Sequence, residues 1–100
     1  MTDTSSLNRR EHDRAATGLQ ARVTVGEATT KCKIEDISPG GAQIIASLDL
    51  ARGRNLTLNL GHFGDVHATV VWCRKGRLGI KFEADPEVMA EIVMTIAHMG

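Results

Sequence analysis

The chain has 100 residues, enough for one domain with a small hydrophobic core. Lys and Arg total 12 and Asp and Glu total 12, so the formal net charge is zero. That balance excludes a general attraction to nucleic acid or anionic membrane, and any anion binding has to be local. Hydrophobic residues make up 42%, which excludes a disordered chain.

Met1 to Leu7 is polar and rich in Ser and Thr, and reads as a loose tail over residues 1–7. It has no apolar core of the kind a signal peptide needs. Next comes "NRREHDR", Asn8 to Arg14, a charged stretch in which three arginines are mixed with Glu11, His12 and Asp13. From Leu19 onward the hydrophobic period is two. Leu19, Ala21, Val23 and Val25 share one face, and Cys32 and Ile34 share one face opposite Lys31, Lys33 and Glu35. "GAQIIAS" follows a turn, and Leu56, Leu58 and Leu60 then alternate with Asn55, Thr57 and Asn59. Val66, Ala68, Val70 and Trp72 fall together, as do Leu78, Ile80 and Phe82, which assigns Trp72 and Phe82 to the core. These are six strands with one buried face each. The connections are turn chemistry: Gly26-Glu27, Ser38-Pro39-Gly40-Gly41, Arg52-Gly53, Gly61 to Gly64 and Lys75-Gly76. Short connections favour antiparallel neighbours, and closure into a barrel removes exposed edges.

The last segment changes period. Asp85 is placed as an N-cap and Pro86 as the first helical residue. Val88, Met89, Ile92, Val93 and Ile96 form a stripe that docks the helix on the barrel. The layout is a tail over 1–7, an arm over 8–18, a barrel over 19–83 and a helix over 85–99, the last three forming one domain over 8–100. No apolar run approaches the ~20 residues of a membrane helix. Cys32 and Cys73 lack CxxC spacing or a nearby His, and read as reduced thiols rather than a disulfide framework or zinc site. The expected location is the cytoplasm, without direct membrane insertion.

Two segments carry chemistry. In "DISPGG", Asp36 to Gly41, Pro39 presets φ at the second turn position and Gly40 tolerates positive φ at the third. Asp36 and Ser38 are two apart on extended chain, so their side chains leave one face and set a carboxylate acceptor beside a hydroxyl donor. Gly41 leaves the backbone bare for close approach. A carboxylate accepts from the N1 and N2 protons of guanine, and a hydroxyl donates to phosphate. In the second segment, Arg10 and Arg14 lie on one side whether the chain is helical or extended. Their planar forks match phosphate oxygens and the O6/N7 edge of guanine. Each segment also has a plain alternative, a simple hairpin connection for the first and a solvated, self-paired charge cluster for the second.

Taken together, the segments resemble the PilZ domain family, receptors for cyclic di-GMP. The family pattern is RxxxR followed further along by D/N-x-S-x-x-G. Here these are Arg10-Glu11-His12-Asp13-Arg14 and Asp36-Ile37-Ser38-Pro39-Gly40-Gly41, and Arg9 gives the RRxxxR form. "GGAQI", "VVWC" and "GIKF" continue the likeness, which runs from about Asn8 to Glu83. The resemblance implies a mainly β fold: a six-stranded antiparallel β-barrel with a C-terminal α-helix and a flexible N-terminal arm. It implies cyclic di-GMP as the ligand, held by Arg9, Arg10, Arg14, Asp36, Ser38, Gly40 and Gly41, with Arg9 reaching a second guanine in an intercalated ligand dimer.

The function this implies is a receptor with no cofactor, in which the ligand orders the arm on the barrel and changes the surface shown to an unidentified downstream protein, in motility or biofilm regulation. A PilZ-fold adaptor acting without nucleotide is one alternative, but such members typically lack the arginine pair. A small barrel binding single-stranded nucleic acid is another, but aromatic content is 3%, too little for stacking platforms. An enzyme is not expected. His12, His62, His67 and His98 are scattered, and no histidine is evident to activate Ser38. No metal site or GxGxxG loop is found.

Overall fold

The computed structural model describes residues 15–99 of the chain. Six antiparallel strands close into a barrel: β1 (Ala15–Val25), β2 (Ala28–Ser38), β3 (Gly41–Ile45), β4 (Asn55–Asn59), β5 (Asp65–Arg74) and β6 (Arg77–Phe82). Their order around the barrel is β1-β2-β3-β6-β5-β4, and β1 pairs with β4 to complete the ring. The fold expected from the hydrophobic alternation is the fold observed. Every strand then finds two neighbours, so no ladder edge stays open along the paired stretches.

Turn chemistry sets the register. Gly26, at φ +62, takes the first central position of the two-residue β1–β2 connection, where Val25 faces Ala28. Positive φ at that position alone is the type II′ pattern, which suits the strand twist. At the β5–β6 connection Lys75 (φ 46) and Gly76 (φ 81) are both left-handed, the type I′ pattern. Lys75 is the sole non-glycine residue with positive φ among the described residues. The β2–β3 turn departs from expectation: Gly40 does not take positive φ. Its carbonyl instead turns toward β6 and accepts the Phe82 N–H at 2.9 Å. With Pro39 in the preceding position, a turn without positive φ is of type I character.

The core is the inward face of the alternation. Val23, Ile34, Ile37, Ile44, Leu58, Val70 and Leu78 are fully buried. Strand β1 begins at Ala15, ahead of the expected Leu19, so Ala15 and Ala16 pair with Ile37 and Asp36. Residues 15–18, expected in the arm, therefore belong to the barrel wall.

Helix α1 (Pro86–Met99) starts as its sequence requires: the Glu87 N–H donates to Asp85 Oδ1 at 2.9 Å, and the Met89 N–H to the Asp85 carbonyl at 3.0 Å. The helix packs on β1 and β2 through Met89, Val93 and Ile96, with Ile92 half-buried. Val88, expected in the docking stripe, is 52% exposed. It lies in the first turn, before the helix meets the barrel at Met89. No helix among the described residues is long and apolar enough to cross a membrane.

Candidate functional site

Two β-bulges decide which side chains reach the outer face. Strict alternation along β2 would put Asp36 on the side of Cys32 and Ile34, which is the core. The register of β2 against β3 shifts between Ile34 and Asp36: Ile34 faces Ile44, yet Asp36 faces Gln43. Glu35 is thus the extra residue of a bulge, and the strand resumes with Asp36 and Ser38 half-buried on the outer face and Ile37 buried. The second bulge lies in β5, between Val70 and Trp72. Up to Val70 the strand alternates as expected. Beyond it Val71 is exposed, Cys73 turns inward against the core, and Trp72 faces outward. Trp72 is 38% exposed, so its expected place in the core is overturned; Phe82, assigned by the same pattern, is buried.

The registers align these residues into rows across β2, β3, β6 and β5. One row is Ser38, Gly41, Lys81 and Thr69. The next is Asp36, Gln43, Gly79 and Trp72. At ~4.8 Å per strand step, Asp36 and Trp72 stand roughly 14 Å apart at opposite ends of their row. Between them the floor is low, because Gly79 has no side chain and the Trp72 indole lies across it. A Cβ on Gly79 would collide with the indole Nε1 and ring carbons. The result is an open depression of about 350 Å³ lined by Ser38, Gly40, Gly41, Gln43, Trp72 and Lys81 among others.

Ser38 Oγ donates to the Gly41 carbonyl across the turn at 3.3 Å. That is a long bond, readily exchanged for a stronger acceptor. Gly41 is required for a different reason than an open backbone: a Cβ there would collide with the Ile80 carbonyl oxygen on β6. Gly40 meets nothing within 4 Å and has an ordinary φ, so neither contact nor conformation demands glycine there. Beyond the depression a third row carries Lys33, Ile45, Arg77 and Arg74. Arg77 pairs there with Glu35 at 3.2 Å.

Asp36, Ser38, Gly40 and Gly41 thus come together at one end of the outer face. Arg9, Arg10 and Arg14 lie outside the described residues. Gln43, Trp72 and Lys81 also line the depression, and none was expected there. The available signal was glycine inside a strand: Gly79 in "RLGIKF" interrupts a run of larger side chains, which marks a bulge or a close approach. Among the described residues no three His, Cys, Asp or Glu side chains group as metal ligands.

Comparison with known proteins agrees with this architecture. The model of the PilZ domain matches residues 8–97. No curated protein matches the chain. Among solved structures, the PilZ domain of CeSA from a cellulose-synthesizing bacterium superposes with a TM-score of 0.69 at 16% identity, over 85% of this chain and 98% of that one. The PilZ domain of YcgR from Escherichia coli, solved with c-di-GMP, gives 0.62 at 17% identity, over 86% and 89%. PlzA from Borreliella burgdorferi, in complex with c-di-GMP, gives 0.63 at 20% identity, over 88% of this chain and 43% of that one. At these identities the superpositions establish a shared fold, while the family match extends over nearly the whole chain, arginine segment included. The chain belongs to the PilZ domain family.

Proposed function

We propose that this chain is a cyclic di-GMP receptor that relays the second messenger to a partner protein, acting by binding rather than catalysis, in the cytoplasm. The observation that carries the reading is the paired bulge geometry, which turns Asp36 and Trp72 outward at the two ends of one row. Each bulge sacrifices a ladder position to expose a group that alternation would bury, and bulges of that kind re-aim functional side chains. The depression beside Trp72, together with Asp36 next to its lining residue Gln43, offers the polar and aromatic groups a guanine nucleotide needs. Asp36 accepts from guanine N–H groups, Ser38 donates to phosphate, and the exposed face of Trp72 stacks on a base. Gly40 and Gly41 keep the turn low beside the ligand. Arg10 and Arg14 supply guanidinium forks to phosphates and guanine edges, and Arg9 reaches a second guanine. Two solved PilZ structures with c-di-GMP share this fold. Drawing the arm against the barrel face through these contacts changes the surface offered to the partner.

Titration calorimetry with cyclic di-GMP tests the reading. Micromolar or tighter binding is expected, ~8 kcal/mol or more. Ligand at ~100 times its dissociation constant adds ~2.7 kcal/mol to stability, so melting temperature rises with it. Absence of both heat and melting shift refutes the function. Affinity unchanged in Arg10→Ala, Arg14→Ala and Asp36→Ala refutes the residue assignment. Near two nucleotides per chain supports the role of Arg9, and near one removes it.

A further inference from the structure

Gln43 sits at the centre of the row that joins Asp36 to Trp72, and no role has been given to it. It faces Asp36 directly across the β2–β3 ladder, and Gly79 lies on its other side. Directly opposed residues hold their Cβ atoms ~4.5–5.5 Å apart on one face. The Gln43 side chain is half-buried, lines the depression, and makes no hydrogen bond among the described residues. The Trp72 indole covers Gly79 on that side, so the polar neighbour of the Gln43 amide within this row is the Asp36 carboxylate.

This inference rests on the function proposed above. We propose that Gln43 is a specificity-determining residue, whose amide completes with Asp36 a three-point reader of the guanine base-pairing edge. That edge presents two adjacent donors, the N2 and N1 hydrogens, and then one acceptor, O6. A carboxylate has acceptor capacity for both hydrogens and keeps further lone pairs for other partners. An amide NH₂ supplies the donor that O6 requires. Side by side on neighbouring strands, the two side chains present acceptor, acceptor and donor in the matching order. Adenine reverses the pattern, with an amino donor where guanine has O6 and a ring acceptor where guanine has N1–H. Adenine would set its ring lone pair against the carboxylate and its amino group against the amide donor. The site therefore selects guanine over adenine in a cyclic dinucleotide, and Gln43 supplies the part of that selection read at O6.

The test is calorimetric titration of the full chain and of Gln43→Ala and Gln43→Glu with cyclic di-GMP and with cyclic di-AMP. Thermal melts without ligand confirm that both variants fold. Gln43→Ala is expected to weaken cyclic di-GMP binding about tenfold, the scale of one lost discriminating contact, and to narrow the ratio between the two ligands by as much. Gln43→Glu is expected to weaken it further, since a carboxylate would face O6. If the unaltered chain binds cyclic di-GMP and Gln43→Ala binds it equally, or keeps the same ratio between ligands, the inference is overturned and the proposed function stands. If the unaltered chain binds neither ligand, both fall.

Discussion

Gly41 on β3 and Gly79 on β6 are near neighbours on the outer face, and alanine at each is expected to do damage of a different kind. At Gly41 the new methyl meets main chain: the Ile80 carbonyl oxygen closest, then Ile80 C at 3.3 Å and Lys81 Cα at 3.4 Å. Main chain in a paired strand does not step aside, so β3 and β6 have to part locally. Overpacking of this kind costs ~1–3 kcal/mol. Parting the strands also weakens the Phe82 N–H bond to the Gly40 carbonyl and the Ser38 bond to Gly41, at ~1 kcal/mol each. The sum is ~3–5 kcal/mol, and at ~4–8 °C per kcal/mol for a domain of this size the melting temperature falls by more than ~10 °C. At Gly79 the three atoms nearest the new methyl all belong to the Trp72 indole, a side chain already 38% exposed. The indole swings off the strand, at a stability loss of ~1 kcal/mol or less. Trp72 is the single tryptophan of the chain, so its fluorescence reports that movement directly. The assay is a thermal melt followed by circular dichroism, with tryptophan emission recorded before melting. Gly41→Ala should melt early with near-native emission at low temperature. Gly79→Ala should melt almost normally with emission shifted to longer wavelength. A Gly41→Ala protein as stable as the original, or a Gly79→Ala protein with unshifted emission, refutes the register and the placement of the indole.

Two further outcomes follow from the core. Leu58 is fully buried on β4 and faces Val23 across the pairing that closes the barrel. Leu58→Ala should cost ~2–5 kcal/mol by urea unfolding, against less than ~1.5 kcal/mol for Leu58→Met; an unmoved midpoint in the alanine variant contradicts a closed core. Burial pushes the Cys32 thiol up from 9.0 to about 11. Its folded pKa lies above its unfolded one, so its contribution is intact below pH ~9 and is lost as pH rises toward ~11. Over those two pH units, at ~1.4 kcal/mol each, the chain should lose up to ~3 kcal/mol that a Cys32→Val protein does not lose; parallel pH profiles refute the burial effect.

Much of this architecture was legible in the residues. Alternation at Leu56, Leu58 and Leu60 requires a strand with one dry face, because each side chain turns through half a circle from the last. The Asp85-Pro86 pair marks the start of α1 because a carboxylate bonds a free N–H of the first turn and proline needs none. The likeness carried by "DISPGG" and the arginine segment pointed to the family, and the match over residues 8–97 upheld it. Asp36 and Ser38 were rightly placed on one shared face, since an offset of two does not depend on register.

Which face that is, the chain alone does not say. A bulge is one extra residue without a compositional mark, and Glu35 and Val71 look like ordinary strand positions. Yet each reverses the parity of everything after it. Counting from Cys32 places Asp36 inside, and counting from Val66 places Trp72 inside; pairing with β3 and β6 places both outside. Pairing wins because it fixes a whole ladder of hydrogen bonds at once, and the neighbouring strands set the register. Gln43 and Lys81 are likewise invisible as site residues in one dimension, since they come from strands far apart in the chain. Sequence determined the strands, the barrel, the helix and the chemistry at the β2–β3 turn. Tertiary pairing decided which side of the wall that chemistry faces, and set Trp72 and Gln43 in the same row.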